Sequence, residues 1–343
     1  MDYKTFQVTY PVNFKVVFQK TIIPVRMLRD LWFDSMPGAI KEFMLGDVDI
    51  VHSTTFCAPN FKNKKKKLIA TIYDLTVLTH PECHEEVNIK MCTKGINDTV
   101  KFAEEIIAIS EHTKRDLIEI LKIPEEMITV TPLASDASYM PIIDSEKLER
   151  VRKQYKLPKN FILFIGSLEP RKNVKTLIRA FAGLPEKLRK EFCLVIAGAK
   201  GWLNSDIPQI VNDLKIKEKV FFTGYIENED ISTVYSLATV FVYPSLYEGF
   251  GLPILEAMSC GVPTITSNTS SMPEVASDAA LLINPLNVDE LIAALEKVLH
   301  SENLRNEMRV KGLKRAREFS WEKCARETLA VYNRVNKKPR RHS

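Results

Sequence analysis

The sequence predicts an α/β protein made of two doubly wound, Rossmann-like domains. Three observations predict it. Short apolar runs alternate with stretches of helical periodicity along most of the chain. That alternation argues for parallel sheets with helices on both faces. Several runs end directly in glycine, or in Pro-Ser, where a strand would leave its sheet. A length of 343 residues is about two domains at ~150 residues each.

In the first half, residues 14–23 read as a strand and residues 25–32 as an amphipathic segment. Two better strands follow, 48–51 running into His52 and 68–73 running into Asp74. A helix ends near Phe102, and 106–109 is the next strand. Ser110 then serves as N-cap for a helix whose Leu117, Ile118 and Leu121 fall on one face. Residues 128–130 are a short strand closed by Pro132, and residues 136–145, with Pro141 inside, form the linker.

The second half is more clearly punctuated. Residues 161–165 form a buried-type strand ahead of Gly166. Asn173 caps a helix with Val174, Leu177, Ile178 and Phe181 at positions i, i+3, i+4 and i+7. Strands at 194–197, 220–223, 240–243, 263–266 and 280–283 follow. Helices over 288–299, 302–318 and 321–335 close the chain. The division is residues 1–143 and 144–320. Two such sheets, each binding ligands beyond the carboxyl ends of its strands, make a cleft when they face one another.

Composition narrows the function. Apolar residues are 45% and charged residues 27%, an ordinary globular balance that excludes a disordered, collagen-like or disulfide-scaffold protein. A net charge of +5 is too small to mark a nucleic-acid binder. No apolar run approaches the ~20 residues that span a bilayer. The start lacks the basic region and apolar stretch of a signal peptide. Cysteines 57, 83, 92, 193, 260 and 324 are scattered, as in a reduced cytosolic protein.

Residues 243–261 carry the strongest chemical signal. A strand ends at Tyr243, Gly249 and Gly251 lie in the loop, Pro253 stands where a helix starts, and Gly261 stands just past its end. A glycine-containing loop feeding a helix N-terminus is an anion site, because free N–H groups and the helix dipole point at the ligand. Glu248 precedes it and Glu256 is expected on the first turn. Carboxylates only accept hydrogen bonds, so beside a phosphate their natural partners are sugar hydroxyls. A nucleotide sugar has both groups. The segment Gly166-Ser-Leu-Glu-Pro-Arg171-Lys172-Asn173 adds two cations before a second helix. Cations there oppose the dipole unless an anion lies between them and the helix. Arg171 offers a planar fork for phosphate oxygens and Lys172 a point charge.

These segments resemble the retaining glycosyltransferases of family 4. The two glutamates Glu248 and Glu256, with seven residues between them, match that family's signature. Phe222-Thr-Gly-Tyr-Ile226, Pro244-Ser-Leu-Tyr-Glu-Gly-Phe-Gly-Leu-Pro253 and Phe319-Ser-Trp321 fit it too. The resemblance implies the GT-B fold, two Rossmann-like domains around a cleft. It implies an N-terminal acceptor domain, a C-terminal donor domain, and a helix over 321–335 that crosses back onto the first. It assigns Arg171 and Lys172 to the diphosphate, with Gly166 beside them. It assigns Glu256 to the ribose, Glu248 to the donor sugar, and the N–H groups of Phe250, Gly251 and Leu252 to the sugar and distal phosphate. Tyr225 and Ile226 line the base. The donor is a GDP-, UDP- or ADP-linked sugar, and neither cofactor nor metal is expected. The family also begins with a strand and a glycine-rich loop. Here the first glycine is Gly38, so about one strand–loop–helix unit is expected to be missing.

On the acceptor side, Thr71-Ile-Tyr-Asp-Leu75 with His80-Pro-Glu82 resembles a stretch common in sugar-polymer mannosyltransferases, with Tyr73 where histidine is frequent. Asp74 is the candidate to orient or deprotonate the acceptor hydroxyl, and a simple turn residue is an equal alternative. His52 and Ser110 are weaker acceptor-side candidates. His80, Cys83, His84 and Cys92 fit no standard zinc spacing. Trp202 reads first as packing and second as a stacking surface. The basic residues 62–67 and 337–342 read first as solvated loop and tail, and second as contacts to an anionic membrane face.

The expected activity is transfer of a sugar, mannose being one choice, to a glycan or lipid-linked hydroxyl during polysaccharide or lipopolysaccharide assembly. A cytoplasmic enzyme with a peripheral membrane contact fits that setting. A non-catalytic nucleotide-sugar-binding remnant is the alternative. A synthase or phosphorylase of the same fold is a third reading, without a recognisable pyridoxal-phosphate lysine.

Overall fold

The computed structural model describes residues 48–55, 66–198 and 206–338. The expected elements at 14–23 and 25–32, and Trp202, lie outside the described residues. Two parallel sheets organise the rest.

The first sheet has the order β1-β2-β3-β4: Ile50–Ser53, Lys67–Ile72, Glu105–Ala108 and Ile128–Val130. β2 and β3 are buried along their whole length, which is why they read as largely apolar runs, broken only by Lys67, Thr71 and Glu105. Between the strands run α1 (Thr76–Thr79), α2 (Glu86–Phe102) and α3 (Glu111–Leu121). Ser110 caps α3 as expected, accepting the Thr113 N–H.

The second sheet has the order β10-β9-β8-β5-β6-β7: Ala280–Ile283, Thr264–Ser267, Val240–Tyr243, Phe161–Ile165, Cys193–Ala197 and Val220–Gly224. The chain builds outward from β5 through β6 to β7, then returns to build β8, β9 and β10 on the other side. The order therefore reverses between β5 and β8, and such a reversal opens a ligand crevice at the strands' carboxyl ends. The surrounding helices are α4 (Ser145–Gln154), α5 (Val174–Gly183), α6 (Glu186–Glu191), α7 (Ile207–Asp213), α8 (Asn228–Leu237), α9 (Leu252–Ser259), α10 (Met272–Ala276), α11 (Val288–His300) and α12 (Glu302–Ala316). Phe161, Phe164, Phe181, Tyr235, Phe241 and Tyr243 fill the centre of this core.

The last helix, α13 (Trp321–Lys337), packs back on the first sheet. Val331 and Val335 bury against Ile69 and Ile107. Lys67 Nζ caps its end by donating to the carbonyls of Val335, Asn336 and Lys338 at 2.8, 3.0 and 2.7 Å. Buried Glu105 pairs with Arg334 and Lys338.

Two local expectations are corrected. Asn173 occupies the N-cap position of α5 but does not cap with its side chain. It sits in the left-handed region, and its Nδ2 donates to the carbonyls of Pro244 and Pro285 at 3.1 and 2.7 Å. It joins two loops instead. Glu256 lies in the second turn of α9, because the helix begins at Leu252.

Candidate active site

Two loops meet at the reversal point. One follows β5 and carries residues 166–173; the other follows β8 and carries residues 244–251. They are tied through the Arg171 carbonyl, which accepts from the Leu246 N–H at 2.8 Å and from Ser245 Oγ at 3.0 Å.

Glu248 is the hub of this junction. Its Oε1 lies 2.7 Å from Lys172 Nζ, 2.7 Å from Ser245 Oγ and 2.9 Å from the Tyr243 hydroxyl. Its Oε2 lies 2.7 Å from Arg171 Nη1. Arg171 also donates to the Tyr247 carbonyl at 2.7 Å, and Lys172 Nζ lies over the Tyr243 ring. Glu248 is 7% exposed and Lys172 8%, so this is a buried charge cluster. Burial alone would raise the Glu248 carboxyl; the charges of Lys172 and Arg171 outweigh it and hold the group down to about 2. Burial lowers the Lys172 ammonium from its ordinary value, against the pull of Glu248. The anion that reconciles two cations with a helix N-terminus is therefore the protein's own carboxylate. Glu169 Oε2 lies 3.6 Å from Arg171 Nη2 as well, so two cations meet two carboxylates at this junction.

The N-terminal end of α9 follows directly. Gly251 has φ +105°, a region that favours glycine, and Pro253 occupies the first turn. N–H groups of a first turn have no intrahelical acceptor. Phe250 is buried, and its ring meets Phe319 edge-on at 5.7 Å. Glu256 accepts from the Tyr235 hydroxyl at 3.1 Å and from the Tyr139 hydroxyl. Burial raises its carboxyl, and these two bonds oppose the rise. Gly166 donates to the Ala197 carbonyl at 3.0 Å. Ile226 is buried, and Tyr225 stands 60% exposed just beyond β7.

The first sheet closes on the same loop. A side chain at Gly249 would place its Cβ 2.0 Å from the Tyr73 carbonyl oxygen and 2.9 Å from Asp74 Cβ, so only glycine permits this approach. Ser110 Oγ donates to the Gly249 carbonyl at 2.7 Å. Tyr247, next but one in the loop, bonds Asp116 through its hydroxyl and lies between the rings of His80 and His112. Glu274 accepts the N–H groups of Glu111 and His112 at the start of α3. Sequence order gave no sign of these contacts.

Asp74 lies beside this closure, partly exposed. Its Oδ1 accepts the Thr76 N–H at 2.9 Å and the Thr76 hydroxyl, and Oδ2 takes no hydrogen bond from the described residues. The other two acceptor-side candidates are bonded within the protein. Ser110 is fully buried, with its hydroxyl engaged by Thr113 and Gly249. His52 has both ring nitrogens engaged, Nδ1 at 2.6 Å from the Tyr332 hydroxyl and Nε2 at 2.8 Å from Thr71 Oγ1. Both residues fasten elements together. Among the described residues, no three His, Cys, Asp or Glu side chains converge as metal ligands. Among the same residues, no helix is long and apolar enough to cross a membrane.

Comparison with known proteins covers the same stretch of chain. The family model for glycosyl transferases group 1 matches residues 146–315, which hold Arg171, Lys172, Glu248 and Glu256. The chain is 34% identical over 283 residues to O-antigen chain mannosyltransferase B of Escherichia coli, covering 82% of this chain and 74% of that one. The chain belongs to the group 1 glycosyltransferases. This glycosyltransferase is also 32% identical over 241 residues to the serotype-specific mannosyltransferase WbdA of Escherichia coli, covering 68% of itself and 29% of WbdA. Among solved structures, sucrose-phosphate synthase from Thermosynechococcus elongatus superposes with a TM-score of 0.71 at 22% identity, covering 92% of this chain and 80% of that one. HepE from Anabaena, in complex with UDP, superposes with a TM-score of 0.69 at 18% identity, covering 86% and 81%. These likenesses show the GT-B fold of the group 1 glycosyltransferase.

Proposed function

We propose that this glycosyltransferase moves mannose from a nucleoside diphosphate mannose to a hydroxyl of a growing glycan, with retention of configuration, in cell-surface polysaccharide assembly. The observation that carries the donor reading is the meeting of Arg171, Lys172 and the start of α9 at the reversal point between β5 and β8. A diphosphate entering there takes over the two cations from Glu248, which then turns to the donor sugar. As the glycosidic bond to the diphosphate breaks, charge grows on the leaving oxygen, and Arg171 and Lys172 are already placed to stabilise it. Glu256 accepts the ribose hydroxyls, Tyr225 and Ile226 border the base, and Gly166, Phe250, Gly251 and Leu252 supply main-chain contacts. Asp74, through its open Oδ2, orients or deprotonates the acceptor hydroxyl.

In this reading residues 144–320 form the donor half, and residues 1–143 with helix 321–335 form the acceptor half. The similarity to O-antigen chain mannosyltransferase B supports mannose and a polysaccharide acceptor, and the UDP held by HepE supports a nucleotide donor. In this reading a lipid-linked acceptor goes with a cytoplasmic enzyme at the inner membrane face.

Calorimetric titration with GDP, UDP and ADP tests the donor site. Micromolar binding of one of them is expected. Transfer assays with that nucleotide's mannose and glucose conjugates then test the sugar. A folded protein that binds none of the three overturns the reading.

A further inference from the structure

Glu256 is not free to choose its direction. Tyr235, fully buried, aims its hydroxyl at Glu256 Oε2 from 3.1 Å. Tyr139 donates to the same carboxylate, and its ring meets Tyr235 edge-on at 6.1 Å. A buried phenol needs an acceptor, and here both phenols use the same one. An ionised carboxylate has about four acceptor positions, so two remain for a vicinal diol. Tyr139 belongs to the segment joining the two sheets, and that segment is bound to the donor half along its length. Ser135 Oγ lies 2.8 Å from Ser259 Oγ, Ser232 Oγ donates to the Ser138 carbonyl at 2.8 Å, and the Ile142 N–H donates to Ser236 Oγ at 3.0 Å. The tyrosine pair is therefore held from α8, from α9 and from the joining segment at once.

We propose that Tyr139 and Tyr235 are positioning residues that hold the Glu256 carboxylate in the orientation that accepts the ribose diol of the donor nucleotide. The inference rests on the ribose reading of Glu256 above. Neither tyrosine touches the nucleotide; each acts through the carboxylate, and each fixes one of its acceptor directions.

The test compares Tyr139→Phe, Tyr235→Phe and Glu256→Gln with the parent chain, each checked for folding by circular dichroism. The probe is the tightest binder among GDP, UDP and ADP, with its 2′,3′-dideoxy analogue. Each Phe variant should weaken the ribonucleotide about five- to tenfold, one hydrogen bond's worth, and leave the dideoxy analogue unchanged. Neither Phe change should weaken binding further once Glu256 is Gln. Equal losses for both nucleotides, losses that persist beside Glu256→Gln, or no loss at all would overturn the inference. If Glu256→Gln itself leaves the preference for ribose intact, the ribose reading fails instead, and the tyrosine roles fall with it. Should Tyr235→Phe not fold, the half-buried Tyr139→Phe carries the same comparison.

Discussion

Lys172 Nζ and Glu248 Oε1 sit 2.7 Å apart with less than a tenth of either residue exposed. An ammonium this deep is tolerable only beside its carboxylate. Removing one partner of a buried pair strands the other charge, at a cost of about 3–5 kcal/mol. Glu248→Ala should therefore lower the melting temperature strongly. Glu248→Ala combined with Lys172→Met should recover much of it. A calorimetric scan of the single and double variants checks both, and equal melting temperatures for the two would remove the pair from the account.

The same pair fixes an acid limb of stability. The Glu248 carboxyl is held at about 2 in the folded chain, against an ordinary value of 4.5. A carboxyl with a depressed folded value stabilises fully above its unfolded value and loses that contribution as pH falls toward the folded one. The window is pH 4.5 down to about 2. Integrated over that window the contribution is about 3 kcal/mol. Urea midpoints across it should fall more steeply for the parent chain than for Glu248→Gln; parallel slopes would assign the acid limb to other groups.

Arg171 and Lys172 together are expected to be indispensable to turnover and less so to the fold. Arg171→Ala with Lys172→Ala removes both cations proposed to face the leaving oxygen and strands buried Glu248 with Ser245 and Tyr243, so the melting temperature should fall as well. Charge stabilisation of this kind is worth on the order of a hundredfold or more per group. Transfer should drop below detection while far-ultraviolet dichroism persists. Near-normal rates would take the diphosphate clamp away.

Much of this arrangement is legible in sequence, and the limits have physical reasons. Central strands such as β5 and β8 announce themselves because both faces are covered, leaving no polar alternation to obscure them. Pro253 and Gly261 bracket α9 from local rules alone. α4 is less legible, because only Val151 of its ten residues is buried and the remainder is largely charged or polar. Asn173 shows a local rule losing to distant carbonyls, since Pro244 and Pro285 claim the side chain that capping would use. Arg171 and Lys172 could be singled out as cations, but their bond to Glu248 spans about 76 positions and exists only once β5 and β8 are neighbours. The joining of the two halves through Tyr247, Asp116 and Glu274 has no local signature at all.

Gly249 is where the two halves touch backbone to backbone. The Tyr73 carbonyl oxygen occupies the place a methyl group would need, at 2.0 Å. That atom is main chain, so the contact cannot be relieved by a rotamer change. Gly249→Ala should hold the halves apart by the width of a methyl group and break the Ser110 bond to the Gly249 carbonyl. Transfer should fall at least tenfold, while affinity for the nucleotide changes little because the proposed donor contacts all lie on the second sheet's loops and on α9. Transfer kinetics and calorimetric titration of the same preparation check this; a parallel fall in both would mean that the glycine supports the donor loop and not the closure.

Asp74 offers the sharpest division between binding and chemistry. Its Oδ1 is consumed by Thr76, and Oδ2 is without a donor from the described residues. An amide at this position keeps the size and an oxygen for Thr76 but cannot take a proton. If Oδ2 draws the proton from the acceptor hydroxyl, Asp74→Asn should lower kcat by about 10²–10⁴, the range of one general base. Nucleotide affinity should be unchanged, because the proposed donor contacts lie on the second sheet. Donor hydrolysis in the absence of acceptor should also be spared, since water does not need the orientation that a sugar hydroxyl does. Parallel measurement of transfer and hydrolysis separates the two roles. Equal losses in both would make Asp74 a general electrostatic group of the cleft, and no loss in either would return it to a turn residue held by Thr76.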